Sequence, residues 1–221
     1  MGYRTVDFVH GRGAEYFGYC VYGVACAEVE VDCLTGDHKV LRVDIVMDIG
    51  ESLNPAVDIG QIEGAFAQGY GLFTMEELKV RPDGTRLTRG PGTYKIPSAD
   101  DAPSQLNVKL LGGSSNKMGI FSSKAVGEPP LFLGSAVFFA IRDAVKAYRV
   151  QWGLSAGYFH MDTPASPERV RMACRGDGIV ERAVFSGKGV VNGNGLLNGR
   201  ENGGVKGVEG KRKVPWVLDR L

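Results

Sequence analysis

The sequence predicts an α+β fold: a twisted, mainly antiparallel sheet with two main helices packed on it. Two stretches of alternating polar and apolar residues, 17–34 and 39–48, flank the turn signal Thr35-Gly36-Asp37 and predict a long antiparallel hairpin. Two longer segments carry apolar residues at helical spacing and predict the helices. A later stretch rich in glycine and asparagine has no such period, and we expect it to be flexible.

Composition sets limits on function. The 221 residues, 43% of them hydrophobic, are enough to build a real core. Because 26 basic residues balance 25 acidic ones, we expect neither a nucleic-acid nor a membrane partner. No apolar run reaches the length of a membrane span, and the first residues lack the layout of a secretory signal. Four cysteines without CxxC spacing fit a reducing compartment, so we expect the cytoplasm, with the peroxisome as the alternative.

The hairpin is predicted from the alternation in Glu28–Cys33, which is typical of a half-buried strand. The second strand resumes the alternation with its apolar positions at Leu41, Val43, Ile45 and Met47. His38 falls in the predicted turn, and we interpret it as a solvated loop histidine and not a metal ligand. We predict no metal-ligating side chain in this chain.

The first predicted helix opens at Ser52-Leu53-Asn54-Pro55 and runs to about Leu78. One side of it carries a stripe of small or polar residues: Gly60, Gly64, Gln68 and Gly71. Each glycine costs a helix about 1 kcal/mol relative to alanine, so several together indicate a close approach to this backbone. Tight packing of the helix against the sheet is the favoured interpretation. Residues 79–104 then read as loops, and Gln105–Leu111 as a further strand.

The second predicted helix follows Glu128, which stands between a glycine and two prolines. A proline is well suited to the first helical position, and the helix is predicted to end near Arg149. Its buried face uses Leu133, Val137, Ile141 and Val145. Glu128 thus lies at a helix start, where unpaired N–H groups favour a negative charge, and Lys124 four residues upstream adds to this.

A carboxylate in that position is expected to be ionised at neutral pH and held rigidly, which suits a general base. The alternative is a helix-capping glutamate, and acidic residues at helix starts are common. After this helix, Ser166 and Pro167 predict a short helix to Cys174. We expect three regions: a folded unit over residues 1–175, a low-complexity flexible insertion over 176–213 and a terminal segment over 214–221.

Four stretches of the sequence resemble segments of one protein family. The run Lys124-Ala125-Val126-Gly127-Glu128-Pro129-Pro130 closely resembles the active-site segment of xanthine dehydrogenases, the purine-oxidising branch of the molybdenum hydroxylases. Ser52–Phe66, Gly92–Pro97 and Val214-Pro215-Trp216 also resemble that family. The resemblance covers roughly residues 16–175 and the last few, and corresponds to the C-terminal part of the molybdenum-cofactor-binding region only.

The resemblance implies a purine hydroxylase acting on hypoxanthine and xanthine to give urate, with a molybdenum–molybdopterin cofactor. It implies that Glu128 is the catalytic base beside the molybdenum and that Gln61 hydrogen-bonds the pterin. Pro129 and Pro130 favour the purine branch, since we expect serine and glycine there in aldehyde oxidases.

We expect the regions that would hold FAD and the 2Fe-2S clusters to lie outside this chain, because four scattered cysteines cannot ligate two clusters and no dinucleotide-type glycine fingerprint follows a strand. The resemblance therefore implies a fragment whose partners are the iron–sulfur, flavin and upstream molybdenum regions, in a family that is homodimeric at full length. We expect the chain alone to lack a full active site. The alternatives are a non-catalytic remnant, an interaction module that needs an upstream chain, and aldehyde-oxidase-type specificity.

Overall fold

The computed structural model describes residues 18–155 and 157–175. The predictions for residues 1–15, for the low-complexity insertion 176–213 and for the segment 214–221 lie outside the described residues. Within the described part, the chain forms three strands and three α-helices, which confirms the α+β class. No helix in residues 18–155 or 157–175 is long and apolar enough to cross a membrane.

The sheet has the order β1 (Tyr22–Val31), β2 (His38–Asp48), β3 (Gln105–Leu110). β1 and β2 pair antiparallel, as the predicted hairpin requires. β3 lies parallel to β2, so the sheet is mixed. The parallel pairing is possible because a long crossover, which contains the first helix, returns the chain to the same end of the sheet.

A β-bulge changes which face of β2 is buried. The register pairs Glu28 with Arg42 but Val29 with Val40, so Leu41 is the extra residue of the bulged strand. The prediction that Leu41 shares the buried face with Val43, Ile45 and Met47 is therefore wrong. Val40 takes that place and is 2% exposed, whereas Leu41 is only partly buried.

The helices are α1 (Pro55–Thr74), α2 (Ser135–Gln151) and α3 (Pro167–Arg175). A 3-10 helix over Pro129–Gly134 runs directly into α2. The core lies between the helices and the sheet, and its fully buried side chains include Val43, Ile45, Ile62, Phe66, Val137, Ile141, Val145 and Val170. The predicted buried face of the second helix is confirmed, with Leu133 at its partly buried edge.

α1 begins as predicted but ends earlier than Leu78. Asn54 caps its start by accepting hydrogen bonds from the N–H groups of Ala56 and Val57 at 3.2 and 3.4 Å. At the other end, Thr74 is the last helical residue. Beyond it, the N–H groups of Met75 and Glu76 both donate to the carbonyl of Gly71. The side chains of Glu76 and Glu77 are bound by the hydroxyl of Tyr94 and by Arg169.

His38 is the first residue of β2 and not a solvated loop residue, so that interpretation is wrong. Its ring is partly buried and its Nε2 lies 3.0 Å from the hydroxyl of Tyr70 on α1. Burial lowers the pKa of His38 below its ordinary value, although the charges of Asp101 and Asp37 act in the opposite direction. The residue is a structural contact between sheet and helix.

Candidate active site

The segment that leads to Glu128 is fastened to the end of β2. The N–H of Lys124 donates to the carbonyl of Ile49 at 2.8 Å, and the N–H of Glu51 donates to the carbonyl of Ser122 at 3.0 Å. Asn116, 5% exposed, donates from its amide to the carbonyl of Ser123 at 2.8 Å. These bonds fix the path of the backbone just before the predicted site residue.

A buried ion pair completes the attachment. Lys124 Nζ lies 2.6 Å from Asp48 Oδ2, and the two side chains are only 7% and 9% exposed. Asp48 Oδ1 also accepts hydrogen bonds from the hydroxyl of Ser114 and from the N–H of Gly50. Burial acts to raise the pKa of Asp48, but these three donors together hold it below its ordinary value. Asp48 is therefore a fixed anion that holds Lys124 in place.

This arrangement changes the role expected of Lys124. The sequence suggested that its charge would act together with the helix start near Glu128. In the structure its ammonium group is bound to Asp48 and lies 5.6 Å from the centre of the Tyr22 ring. Lys124 thus anchors the segment through its ion pair with Asp48.

The backbone immediately before the anchor is strained. Phe121 and Ser122 have φ angles of 50° and 63°, in the left-handed region that residues with a side chain rarely adopt. Such conformations cost about 1–3 kcal/mol each and persist only where the surrounding structure imposes them. Here the ion pair and the bonds to Ile49 and Asn116 impose the conformation, which aims residues 124–128 at the start of α1.

Glu128 stands at the first turn of the 3-10 helix Pro129–Gly134 and is exposed. Its backbone carbonyl accepts from the N–H of Leu131 at 3.1 Å. Its carboxylate makes no capping hydrogen bond to the described start of this helix, partly because the two following prolines offer no N–H. The interpretation as a capping glutamate is therefore wrong, and the carboxylate points to solvent.

The helix after Glu128 packs closely on the middle of α1. A Cβ on Gly69 would lie 1.8 Å from the carbonyl oxygen of Leu131, and a Cβ on Gly134 would lie 2.5 Å from the backbone of Gly69. Only glycine allows this approach. The close contact expected of the glycine stripe is made at Gly71, where a Cβ would lie 2.6 Å from the Pro97 ring, and also at Gly69, which the stripe did not include.

The predicted stripe itself faces open space over its first half. A Cβ on Gly60 or Gly64 would meet no atom of the described chain within 4 Å, and both positions are exposed. Tight packing against the sheet is therefore wrong as the reason for these two glycines. The same face of α1 carries Gln61, which is also exposed.

The fold brings the two predicted site residues to the same place. A Cβ on Gly127 would lie 3.2 Å from Gln61 Oε1, so the Gln61 amide rests against the residue that precedes Glu128. Gln61 comes from the first half of α1, and Glu128 from a loop more than sixty residues later in the sequence. The Gln61 amide, which can donate and accept hydrogen bonds, and Glu128, whose carboxylate makes no capping bond, thus lie on one exposed surface.

The side chains of this surface suit hydrogen bonding to the edge of a flat heterocycle. The primary amide of Gln61 offers two donors and an acceptor to a ring edge. The absence of side chains at Gly60 and Gly64 leaves an open cradle beside it. Within residues 18–155 and 157–175 there is no cluster of three or more metal-ligating side chains.

Sequence reasoning missed Asp48, Ser114 and Asn116, which support the site from behind. Asp48 ends an alternating strand, and Ser114 and Asn116 lie in a loop; none of these positions has a distinctive local pattern. A buried strand that ends in a charged residue was the only available signal, because a buried charge needs a partner.

Comparisons with known proteins show which family the chain belongs to. Residues 2–103 match the family described as molybdopterin cofactor-binding domain, a range that includes Gln61. Xanthine dehydrogenase/oxidase of Rattus norvegicus is 62% identical over 159 residues, which are 72% of this chain and 12% of that protein. Aldehyde oxidase of Homo sapiens is 55% identical over 174 residues, which are 78% of this chain and 13% of that protein.

A solved structure extends the comparison to the fold. Quinoline 2-oxidoreductase from Pseudomonas putida 86 has a TM-score of 0.58 and 27% identity, and the match covers 66% of this chain and 18% of that one. The chain thus spans only about one eighth of the length of the curated relatives. On the shared domain, the identity and the common fold, the chain belongs to the molybdenum hydroxylase family of xanthine dehydrogenase/oxidase, of which it represents a part of the molybdopterin cofactor-binding region.

Proposed function

We propose that the chain supplies one wall of a purine-hydroxylating active site, with Glu128 as the general base and Gln61 as a contact to the molybdopterin. The observation that carries this proposal is the convergence of the Gln61 amide with the segment Gly127-Glu128 on one exposed surface. Both residues lie in the motifs that resemble xanthine dehydrogenases, and the Glu128 side chain makes no capping bond to the helix that it precedes.

Glu128 has the properties that a base needs. Its carboxylate is exposed and is not engaged by the helix that it precedes. Its backbone is fixed from both sides, by the Lys124–Asp48 pair before it and by the contact of Gly134 with Gly69 after it. A positioned carboxylate takes up a proton from the attacking oxygen as the new bond to the substrate carbon forms. Rigid placement raises the efficiency of that transfer.

Gln61 and the open glycine face would hold and orient the cofactor. The amide hydrogen-bonds a heterocycle edge, and the bare backbone at Gly60 and Gly64 lets the ring system approach α1. When bound, the molybdenum–molybdopterin group supplies the acceptor for the two electrons that the hydroxylation removes from the substrate.

A purine is the favoured substrate class. Glu128 is followed by Pro129 and Pro130, the pair expected in the purine-oxidising branch. The identity to the rat xanthine dehydrogenase/oxidase, 62%, also exceeds the 55% to the human aldehyde oxidase. Aldehyde-type specificity is the second candidate, and it is supported by that substantial 55% identity.

The rest of the proposed active site must come from residues outside this chain. The chain corresponds to about one eighth of its curated relatives, and the surface that carries Gln61 and Glu128 is open to solvent. The partner is the rest of a molybdenum hydroxylase, including iron–sulfur and flavin regions and a second copy in the homodimer. A remnant without activity is the competing explanation.

A chimera tests the proposal. The matched segment of the rat xanthine dehydrogenase/oxidase is replaced by the corresponding segment of this chain, and the formation of urate from xanthine is followed by absorbance. We expect the chimera to turn over, and Glu128→Gln to lower kcat by about 10²–10⁴-fold, as loss of a general base does. Glu28→Gln, an exposed glutamate on β1, is the matched control and leaves kcat unchanged.

The same preparations separate the alternatives. Molybdenum and pterin contents equal to those of the rat enzyme show that the cofactor surface is intact, and a drop in both on Gln61→Ala supports its contact role. Undiminished urate formation in the Glu128→Gln chimera would rule out Glu128 as the base. Turnover of aldehydes but not xanthine would establish the second candidate, and no turnover despite full cofactor content would favour the remnant.

A further inference from the structure

Two cysteines lie where the turn of the β1–β2 hairpin contacts the last described helix, α3. Cys33 follows β1 and is partly buried, whereas Cys174 on α3 is completely buried. Both side chains belong to one packed cluster, with Cys174 in the core and Cys33 at its partly buried edge. Both cysteines are reduced in the structure. Two oxidisable side chains that are distant in the sequence therefore lie in the same part of the fold.

The backbone around this pair is held from both sides. A Cβ on Gly36 would lie 1.8 Å from the carbonyl oxygen of Pro167, so the turn rests directly on the first turn of α3. Arg171 Nε donates to the carbonyl of Leu34 at 2.8 Å. A disulfide forms without strain only where the two chain segments are already close together, and these contacts keep them so.

The two thiols differ in the way that a two-step oxidation requires. The hydrogen bond from Cys174 lowers the pKa of Cys33, and it outweighs the opposing effects of burial and of the charge on Asp32. The same contact, together with burial, raises the pKa of Cys174. The thiolate is the form that reacts with oxidants, and Cys33 is also the more accessible of the two. Cys33 is thus the first to react and Cys174 the second.

We propose that Cys33 and Cys174 form a reversible oxidation site that closes an intramolecular disulfide when the protein meets a peroxide. The Cys33 sulfur attacks one peroxide oxygen, the O–O bond breaks, and Cys33 becomes a sulfenic acid while water leaves. The Cys174 sulfur then attacks that sulfur, the S–S bond forms, and the hydroxyl group leaves as a second water. Two thiols lose two electrons and two protons, and one hydrogen peroxide is reduced to two waters.

The disulfide would fasten α3 to the turn after β1 and so close a loop that contains most of the described chain. A cross-link over a long loop restricts the unfolded state and stabilises the folded one. We expect oxidation to raise the melting temperature by about 10 °C and added dithiothreitol to reverse the increase. This site is independent of the cofactor surface, so its test does not depend on molybdenum.

The experiment uses the full chain, reduced and then exposed to hydrogen peroxide. Remaining thiols are blocked with N-ethylmaleimide, and the protein is digested without reductant for mass spectrometry. We expect a cross-linked Cys33–Cys174 peptide that is two hydrogen masses lighter than its reduced parts. Cys20 and Cys26, exposed near and on β1, should carry N-ethylmaleimide.

Two variants provide the controls. Cys26→Ser should keep both the cross-linked peptide and the rise in melting temperature, whereas Cys33→Ser should lose both. The wild-type peptide map decides the proposal by itself, so an unstable variant does not affect the result. Peroxide that modifies Cys20 or Cys26 while Cys33 and Cys174 remain reduced would overturn the proposal.

Discussion

Replacement of Lys124 by methionine tests the anchor behind the candidate active site. The substitution keeps the length of the side chain but leaves the Asp48 carboxylate, 9% exposed, without its cation. Removal of one partner from a buried ion pair costs about 3–5 kcal/mol. Because Ser114 and Gly50 still donate to Asp48, we expect a value near the lower limit, about 3 kcal/mol. For a chain of this size that corresponds to a fall in melting temperature of about 6–12 °C.

The measurement is urea unfolding followed by far-ultraviolet circular dichroism at pH 7. Lys146→Met, at an exposed position of α2, is the matched control and should change the free energy of unfolding by less than about 0.5 kcal/mol. The double variant Lys124→Met with Asp48→Leu should recover most of the loss, since both charges are then gone. A Lys124→Met variant as stable as the wild type would refute the assignment of this pair as an anchor.

The same pair predicts a pH dependence. The pKa of Asp48 is lower in the folded chain than its ordinary value of 3.8. The ion pair therefore contributes its full stability above about pH 4, and this contribution is lost as the pH falls through the folded pKa. In Lys124→Met the acid side of the stability profile should be flatter than in the wild type.

Two further predictions concern the helices. Burial lowers the pKa of His38 from its ordinary value of 6.5, so protonation of His38 opposes folding, and the free energy of unfolding should fall as the pH drops below about 6.5. His38→Gln should remove this part of the pH dependence, measured by urea unfolding. An unchanged slope in the variant would contradict the prediction. Gly69→Ala should lower the free energy of unfolding by about 1–3 kcal/mol because its Cβ would meet Leu131. Gly64→Ala, with open space around the new Cβ, should raise it by up to about 1 kcal/mol because alanine favours the helix. Equal unfolding energies for the two variants would contradict the close contact at Gly69.

Local patterns predicted most elements of the fold. The hairpin, the start of α1 at Asn54 and the buried face of α2 follow from period and capping, which depend on residues close together in sequence. The bulge at Leu41 was not predictable in this way because the register depends on both strands at once. The early end of α1 was not predictable in this way either, because residues 75–78 are all good helix formers.

The candidate site shows the same division. Glu128 and Gln61 were predicted from their motifs, but their convergence depends on the contact of Gly134 with Gly69, which no local pattern indicates. The ion pair of Lys124 with Asp48 joins residues that are 76 positions apart. Sequence reasoning assigned the chemistry of the residues, whereas tertiary packing determined which of them support the site.

The contact of α3 with the hairpin turn has a consequence for the order of events during synthesis. Val170 and Cys174 fill core positions next to elements that are made much earlier, since β1 begins at Tyr22. A ribosome must therefore translate the chain beyond Arg175 before the core can close. Contacts between residues so distant in sequence form slowly. Until α3 docks, the nascent domain exposes apolar surface that a chaperone such as a ribosome-bound holdase can cover.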